Sequence, residues 1–319
     1  MTPPEPIEPP ATPAPAALLP AGITVLERGW LSANNILLTG PDDAALVDSG
    51  YCTHAAQTVA LVTASLGGLP LATLANTHLH SDHCGGNAAL QAAFPALRTL
   101  VPPGQAAHVR DWNPDALSYT PTGQDCPPFR LDGVLQPGSA VRLGGRDWQV
   151  HVAPGHDTHS VVLFEPEHAV LISADALWEN GFGVVFPELE GEQAFAEVAA
   201  TLDRIEALAP RIAIPGHGPV FTDVPRALAT ARRRLDGFVR APDRHALYAA
   251  KVLLKYKLLE WQRAPVAQVH GWAAATPYFC LLHGRYFDAV PFADWIDALV
   301  QALQASGAAR REGDWLHNA

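Results

Sequence analysis

The sequence predicts an α/β protein. Short runs rich in Val, Ile and Leu, bounded by Gly, Pro or Asp, alternate with longer Ala- and Leu-rich runs of helical character. Several of the strand-like runs end on His or Asp within a few positions. The 319 residues are 48% hydrophobic and 17% charged, enough apolar material for one large layered domain and a smaller one.

Taken in order, Met1 to about Ala21 is Pro- and Ala-rich without Lys or Arg, and lacks the basic start and continuous apolar core of a secretion signal. Proline fixes φ and donates no backbone hydrogen bond, so residues 1–21 are expected to be an extended, disordered tail. Ile23–Glu27, Asn35–Thr39 and Ala44–Val47 read as strands, and Ala55–Leu66 as a helix closed by Gly67-Gly68. An apolar strand over Leu69–Ala75 follows, then a helix from about Gly86 to Phe94, a strand at Arg98–Val101 and a helix at Gly104–Trp112. Asn113–Pro128 is rich in Pro and reads as an irregular loop. Strands are expected between Val141 and Pro154, at Val161–Phe164 and at Ala169–Ser173, then an amphipathic helix at Gln193–Leu208 and a last strand at Arg211–Ile214. These elements make a main domain over 22–222.

The region 223–319 differs in character. Between Arg226 and Arg263 ten Lys or Arg stand against three acidic residues, although the chain as a whole carries a net charge of −11. Helices are expected at His245–Trp261 and Phe292–Ala305, with a small hairpin near Gly307–Leu316. The basic segment is a candidate for holding an anionic substrate tail, or else a solvated face. The acidic balance disfavours nucleic acid as a general partner. Four scattered Cys without a C-x-x-C pair fit free thiols in a reducing compartment. With no apolar run of about 18 residues, a membrane span is not expected, and a cytoplasmic protein acting on a small molecule is.

The chemistry concentrates in Thr77-His78-Leu79-His80-Ser81-Asp82-His83-Cys84-Gly85-Gly86. One His among 14 says little, but three with an Asp within six positions at a strand end specify a metal site. A strand sends residues i and i+2 to one face, so His78 and His80 can converge on one ion. Asp82 and His83, in the turn beyond, can reach a second position. Cys84 reads as a small buried packing residue.

His-x-His-x-Asp-His after a strand resembles the signature of the metallo-β-lactamase superfamily. Four further segments carry the resemblance, which covers roughly 22–222: Asp48 in Ala45–Gly50, His156 in Ala153–His156, Asp175 at the end of Leu171–Asp175, and His217 in Ile212–Gly218. The resemblance implies a four-layer αβ/βα sandwich with the ligands in loops at one edge. It implies His78, His80 and His156 on a first ion, Asp82, His83 and His217 on a second, and Asp175 bridging, with Asp48 ordering the site without binding metal. Two Zn²⁺ are the expected cofactors, with Fe or Mn accepted by the same donors. A hydroxide held between the ions would attack an ester, thioester or lactone carbonyl, with Asp82 orienting it and collecting its proton. Asp at position 175, where true β-lactamases that bind through a Cys place that Cys, and His at position 80, where diiron oxygen-reducing relatives use Glu, point to the glyoxalase-II-like and thioesterase branches. The helices and hairpin at the end resemble the winged-helix tail of the lactamase-β-2-like branch. A metal-dependent nuclease, a mononuclear iron persulfide dioxygenase and a metal-loaded sensor are the alternatives. His159 is weighed as support for a ligand imidazole, and His151 and His168 are read as structural.

Overall fold

In a computed structural model, residues 19–319 are described; most of the tail expected over 1–21 lies outside them. β1 (Ile23–Leu26), β2 (Asn35–Thr39) and β3 (Ala44–Val47) form an antiparallel meander, and α1 (Ala55–Ser65) crosses to β4 (Leu71–Ala75), parallel to β3. α2 (Ser81–Cys84) and α3 (Asn87–Ala93) lead to β5 (Arg98–Val101), and α4 (Ala106–Arg110) and α5 (Tyr119–Thr122) to β6 (Gly133–Val134), giving a sheet in the order β1-β2-β3-β4-β5-β6.

The second sheet is built from β7 (Ala140–Leu143), β8 (Arg146–Val152), β9 (Val161–Glu165) and β10 (Val170–Ala174), all antiparallel. After α6 (Phe186–Glu190) and α7 (Ala194–Leu208), β11 (Ile212–Pro215) joins parallel to β10. α8 (Val224–Arg240), α9 (Pro242–Trp261), β12 (Arg263–Pro265), α10 (Val266–Ala275), α11 (Pro277–Leu282), α12 (Phe292–Ala305), β13 (Ala309–Glu312) and β14 (Trp315–Asn318) complete the chain, with the last strands in a small β12-β14-β13 sheet.

Strand alternation explains the layering. Ile36, Leu38, Ala45 and Val47 of the first sheet meet Trp148, Val150, Val161, Leu163 and Ile172 of the second in one buried cluster. Their neighbours of opposite parity, Leu37 and Leu46, turn outward onto Val62, Leu66 and Leu90 of α1 and α3. Val162, Phe164 and Leu171 turn onto Val198, Leu202 and Ile205 of α7 and Leu228 of α8. Both faces of each sheet are therefore covered, which is why the central strands read as near-continuous apolar runs. The result is an αβ/βα sandwich with a helical extension. The extension has its own core, in which Leu253, Leu254, Phe279, Trp295 and Leu299 pack together with Val184 from the loop after β10 and Leu189 of α6.

Three local readings change. The helix expected from about Gly86 opens at Asn87, but a separate four-residue helix, α2, precedes it, so Asp82 and His83 sit on a helical turn rather than in a loop. Gly104–Trp112 divides into a 3-10 turn at Pro103–Gln105 and the short α4, and the loop 113–128 contains the single turn of α5. α9 begins at Pro242, three residues before the apolar spacing does, because proline suits the first helical turn, where its missing N–H leaves nothing unpaired. No helix among the described residues is long and apolar enough to cross a membrane.

Candidate metal centre

The ends of β3, β4, β8, β10 and β11 come together at one edge of the sandwich, and all seven residues proposed from the sequence as ligands meet there. Three overlapping groups form, within each of which the ligand atoms lie inside 4.8 Å of one another: His78, His80 and His156; His78, His83 and Asp175; and Asp82, His83 and His217.

Hydrogen bonds fix which ring nitrogen each histidine presents. His156 donates from Nδ1 to the Val184 carbonyl (2.6 Å), leaving Nε2 for the centre. Thr77 Oγ1 donates to Asp48 Oδ2 (2.8 Å) and so accepts from His78 Nδ1 (3.2 Å), which leaves the lone pair on His78 Nε2. His80 faces the other way, with Nδ1 2.8 Å from His156 Nε2 and 3.1 Å from His78 Nε2. Its Nε2 lies 3.9 Å from Asp157 Oδ2. Burial, chiefly, lowers the pKa of His80 and His156 to about 4 and that of His78 well below the ordinary histidine value, so all three are neutral. Neutral nitrogens whose lone pairs converge repel one another unless a cation lies among them. Their spacing is close to the roughly 3.3 Å that nitrogens adopt around a tetrahedral ion bonded at about 2.0–2.1 Å.

The second group is governed by carboxylates. Asp48 Oδ2 accepts from His83 Nδ1 (2.8 Å), which turns His83 Nε2 inward, where it has no hydrogen-bond partner among the described residues. Asp175 Oδ1 lies 3.4 Å from His83 Nε2, and its Oδ2 is 3.4 Å from His156 Nε2 and 3.9 Å from His217 Nε2. Asp82 Oδ2 is 3.1 Å from His217 Nε2. Burial opposes charge on His83, yet Asp175, Asp48 and Asp82 override it and hold that imidazole well above its usual range. Burial likewise pushes Asp82 and Asp175 up, and the neighbouring histidines, His83 foremost, hold both below the ordinary carboxylate range. The pocket thus demands positive charge, which a proton on His83 supplies and a divalent cation would supply better. The donor set fits the expected ions.

Two glycines keep the centre this close. A Cβ on Gly216 would stand 2.2 Å from Asp175 Oδ1, and one on Gly183 would stand 2.4 Å from His156 Nδ1. Asp48 itself holds φ of 58°, a region that Asp and Asn tolerate better than most residues.

Several contributors went unread in the sequence. Trp178 Nε1 donates to Asp175 Oδ1 (3.2 Å), and the Trp30 ring stacks on His217 at 5.3 Å with a 10° interplanar angle. Tyr256, Gln124 and Phe186 line the cleft beside His80 and Asp82. Trp178, three positions after Asp175, carried a positional hint; Trp30 and Tyr256 carried none. His159 does not reach the ligands: its ring packs over Gly104, and it is the neighbouring Asp157 that faces His80. Cys84 is buried behind His83, against Tyr119.

Much of the basic segment is engaged internally. Arg226 pairs with Glu179, Arg232 with Asp203 and Glu206, and Lys257 with Glu260, while Arg234 covers the Tyr248 ring at 4.4 Å. Lys255 donates to the Ala308 carbonyl and to Asn318 Oδ1, both at 2.6 Å.

The sequence profile described as the metallo-beta-lactamase superfamily matches residues 28–217. A hydroxyacylglutathione hydrolase from Synechococcus sp. (strain JA-3-3Ab) is 31% identical over 44% of this chain and 46% of its own length. An acyl-coenzyme A thioesterase, MBLAC2, from Gallus gallus is 26% identical over 49% of this chain and 59% of its own. The chain thus spans about half the length of the curated relatives it matches. A solved metallo-beta-lactamase family protein from Thermus thermophilus superposes with a TM-score of 0.54 at 23% identity, covering 93% of this chain and 99% of that one, and shares its fold.

Proposed function

The chain belongs to the metallo-β-lactamase superfamily, and from that membership we propose that it is a metal-dependent hydrolase of an acyl thioester, with esters and lactones as chemically related substrates. The observation that carries the reading is the seven-residue cluster, in which three ligand groups overlap through His78 and His83. The two relatives named above, one for an acyl-glutathione substrate and one for an acyl-coenzyme A, support a thioester over other acyl compounds.

In this reading His78, His80 and His156 would hold one ion, and Asp82, His83 and His217 a second, with the Asp175 carboxylate available to either. Imidazole and carboxylate donors suit zinc, and iron or manganese after it. The bound metal supplies Lewis-acid polarisation of the carbonyl and a water acidic enough to ionise near neutral pH. The chain's own residues do the rest. Asp82, held ionised by His83 and His217, accepts the proton of the attacking water at its carboxylate. Trp178 fixes the Asp175 carboxylate, and Trp30 and Phe186 wall the cleft against solvent. Residues 22–222 form the hydrolytic unit in this account. Residues 223–319 cover it, α9 contributing Tyr248, Val252 and Tyr256 to the cleft wall.

Removal of metal tests this directly. Dialysis against a strong chelator is expected to lower thioester hydrolysis by roughly a thousandfold, the kinetic equivalent of several kcal/mol of lost charge stabilisation, and added zinc is expected to restore it. A rate that survives complete metal removal would overturn the reading.

A further inference from the structure

One stripe of α9 lies at the rim of the core, with Tyr248 and Val252 half-buried against it. Tyr248, Lys251, Val252, Lys255, Tyr256 and Leu259 follow at helical spacing and line an open groove, together with Leu303 of α12, Ser306 just beyond its end, and Trp30. The other faces of the same helix are packed, Ala246, Ala249, Leu253 and Leu254 lying in the extension's core. Trp30, Tyr248, Val252 and Tyr256 also line the metal cleft, so groove and cleft are continuous. The cleft offers about 90 Å³ of free volume and the groove about 370 Å³. The cleft therefore suits the reacting group, and the groove suits something longer attached to it.

The lining says what that something is. Lys255 has its ammonium tied to Ala308 and Asn318, so it presents its methylenes rather than its charge. The Tyr256 hydroxyl faces the Leu31 carbonyl and Ser81 Oγ, each at 3.4 Å. Trp30 is 59% exposed, with its ring stacked on His217. Most of the lining is apolar, so a chain carrying amides would find few hydrogen-bond partners along it, whereas an alkyl chain would cover apolar surface at every carbon.

We propose that the substrate carries an extended apolar acyl chain, seated in the α9–α12 groove with its carbonyl over the metal-binding cluster. This rests on the hydrolase reading and specifies its substrate.

The test is a series of N-acetylcysteamine thioesters with straight acyl chains of two to twelve carbons, given to the metal-loaded full chain. From four carbons to eight, kcat/KM is expected to rise by up to roughly fourfold per methylene, the increment for burying one CH₂. Ser306→Trp, at an exposed position on the groove wall, is expected to flatten that rise while circular dichroism and metal content stay as in the native chain. A flat profile with short thioesters still hydrolysed would overturn the groove assignment and leave the hydrolase reading standing. If no thioester is hydrolysed, calorimetric titration of the metal-loaded chain with decanol decides separately. Binding weakened at least tenfold by Ser306→Trp supports the groove as an alkyl site, and absence of binding overturns it.

Discussion

Asp175→Asn is expected to lower kcat/KM for thioester hydrolysis by roughly a thousandfold or more, corresponding to several kcal/mol of lost charge stabilisation. Among the described residues Asp175 is the carboxylate whose two oxygens face histidines of both proposed ion positions, at 3.4 Å from His83 and 3.4 Å from His156. The amide keeps the shape and volume that Gly216 accommodates, and its Oδ1 can still accept from Trp178. Packing is preserved, and the negative charge that balances the metal is gone. Elemental analysis beside the kinetics should show metal content falling with activity. A variant retaining more than about a tenth of native activity with full metal content would remove Asp175 from the ligand set.

Asp48→Asn should act through metal affinity rather than through contact with substrate. Asp48 accepts from the Thr77 backbone N–H (2.9 Å), from the Thr77 hydroxyl (2.8 Å) and from His83 Nδ1 (2.8 Å). Asparagine tolerates the positive φ at this position, so the backbone has no reason to move. Its oxygen can satisfy the Thr77 N–H, but its NH₂ group then faces two donors. His83 must give up its Nδ1 proton or turn, and the tautomer protonated on Nε2 cannot ligate. Loss of such an orienting partner costs about 10–100-fold in metal affinity. Competition against a chromogenic chelator should show zinc binding weakened by that factor, and excess zinc should restore much of the activity. Unchanged affinity would mean that His83 holds its orientation without Asp48.

How much of this was legible in the sequence follows from where each residue sits. His78, His80, Asp82 and His83 fall within six positions, so local pattern carried them, while His156, Asp175 and His217 lie just beyond strands and were marked as ligands by the family resemblance. Periodicity carried the α/β class but not the layering, because a short apolar run buried on both faces does not say which layer it joins; the sandwich followed from the family resemblance. Trp30 and Tyr256 could not be found this way. One lies in the turn between β1 and β2 and the other on α9, far apart along the chain, and only the packing of the extension over the sheet edge brings them to one cleft. The basic segment stayed open between two readings for the same reason. Charge density is local, but whether an arginine is free depends on partners such as Asp203 and Glu206, which lie on α7.

Metal content per chain, measured by elemental analysis on protein purified without added metal and compared with its hydrolytic rate, tests the central claim most directly. The account predicts close to two zinc per chain, lost together with activity on chelation and regained with it. About one iron per chain, with oxygen consumed in place of thioester cleaved, would contradict it, as would a chain that takes up no metal on reconstitution.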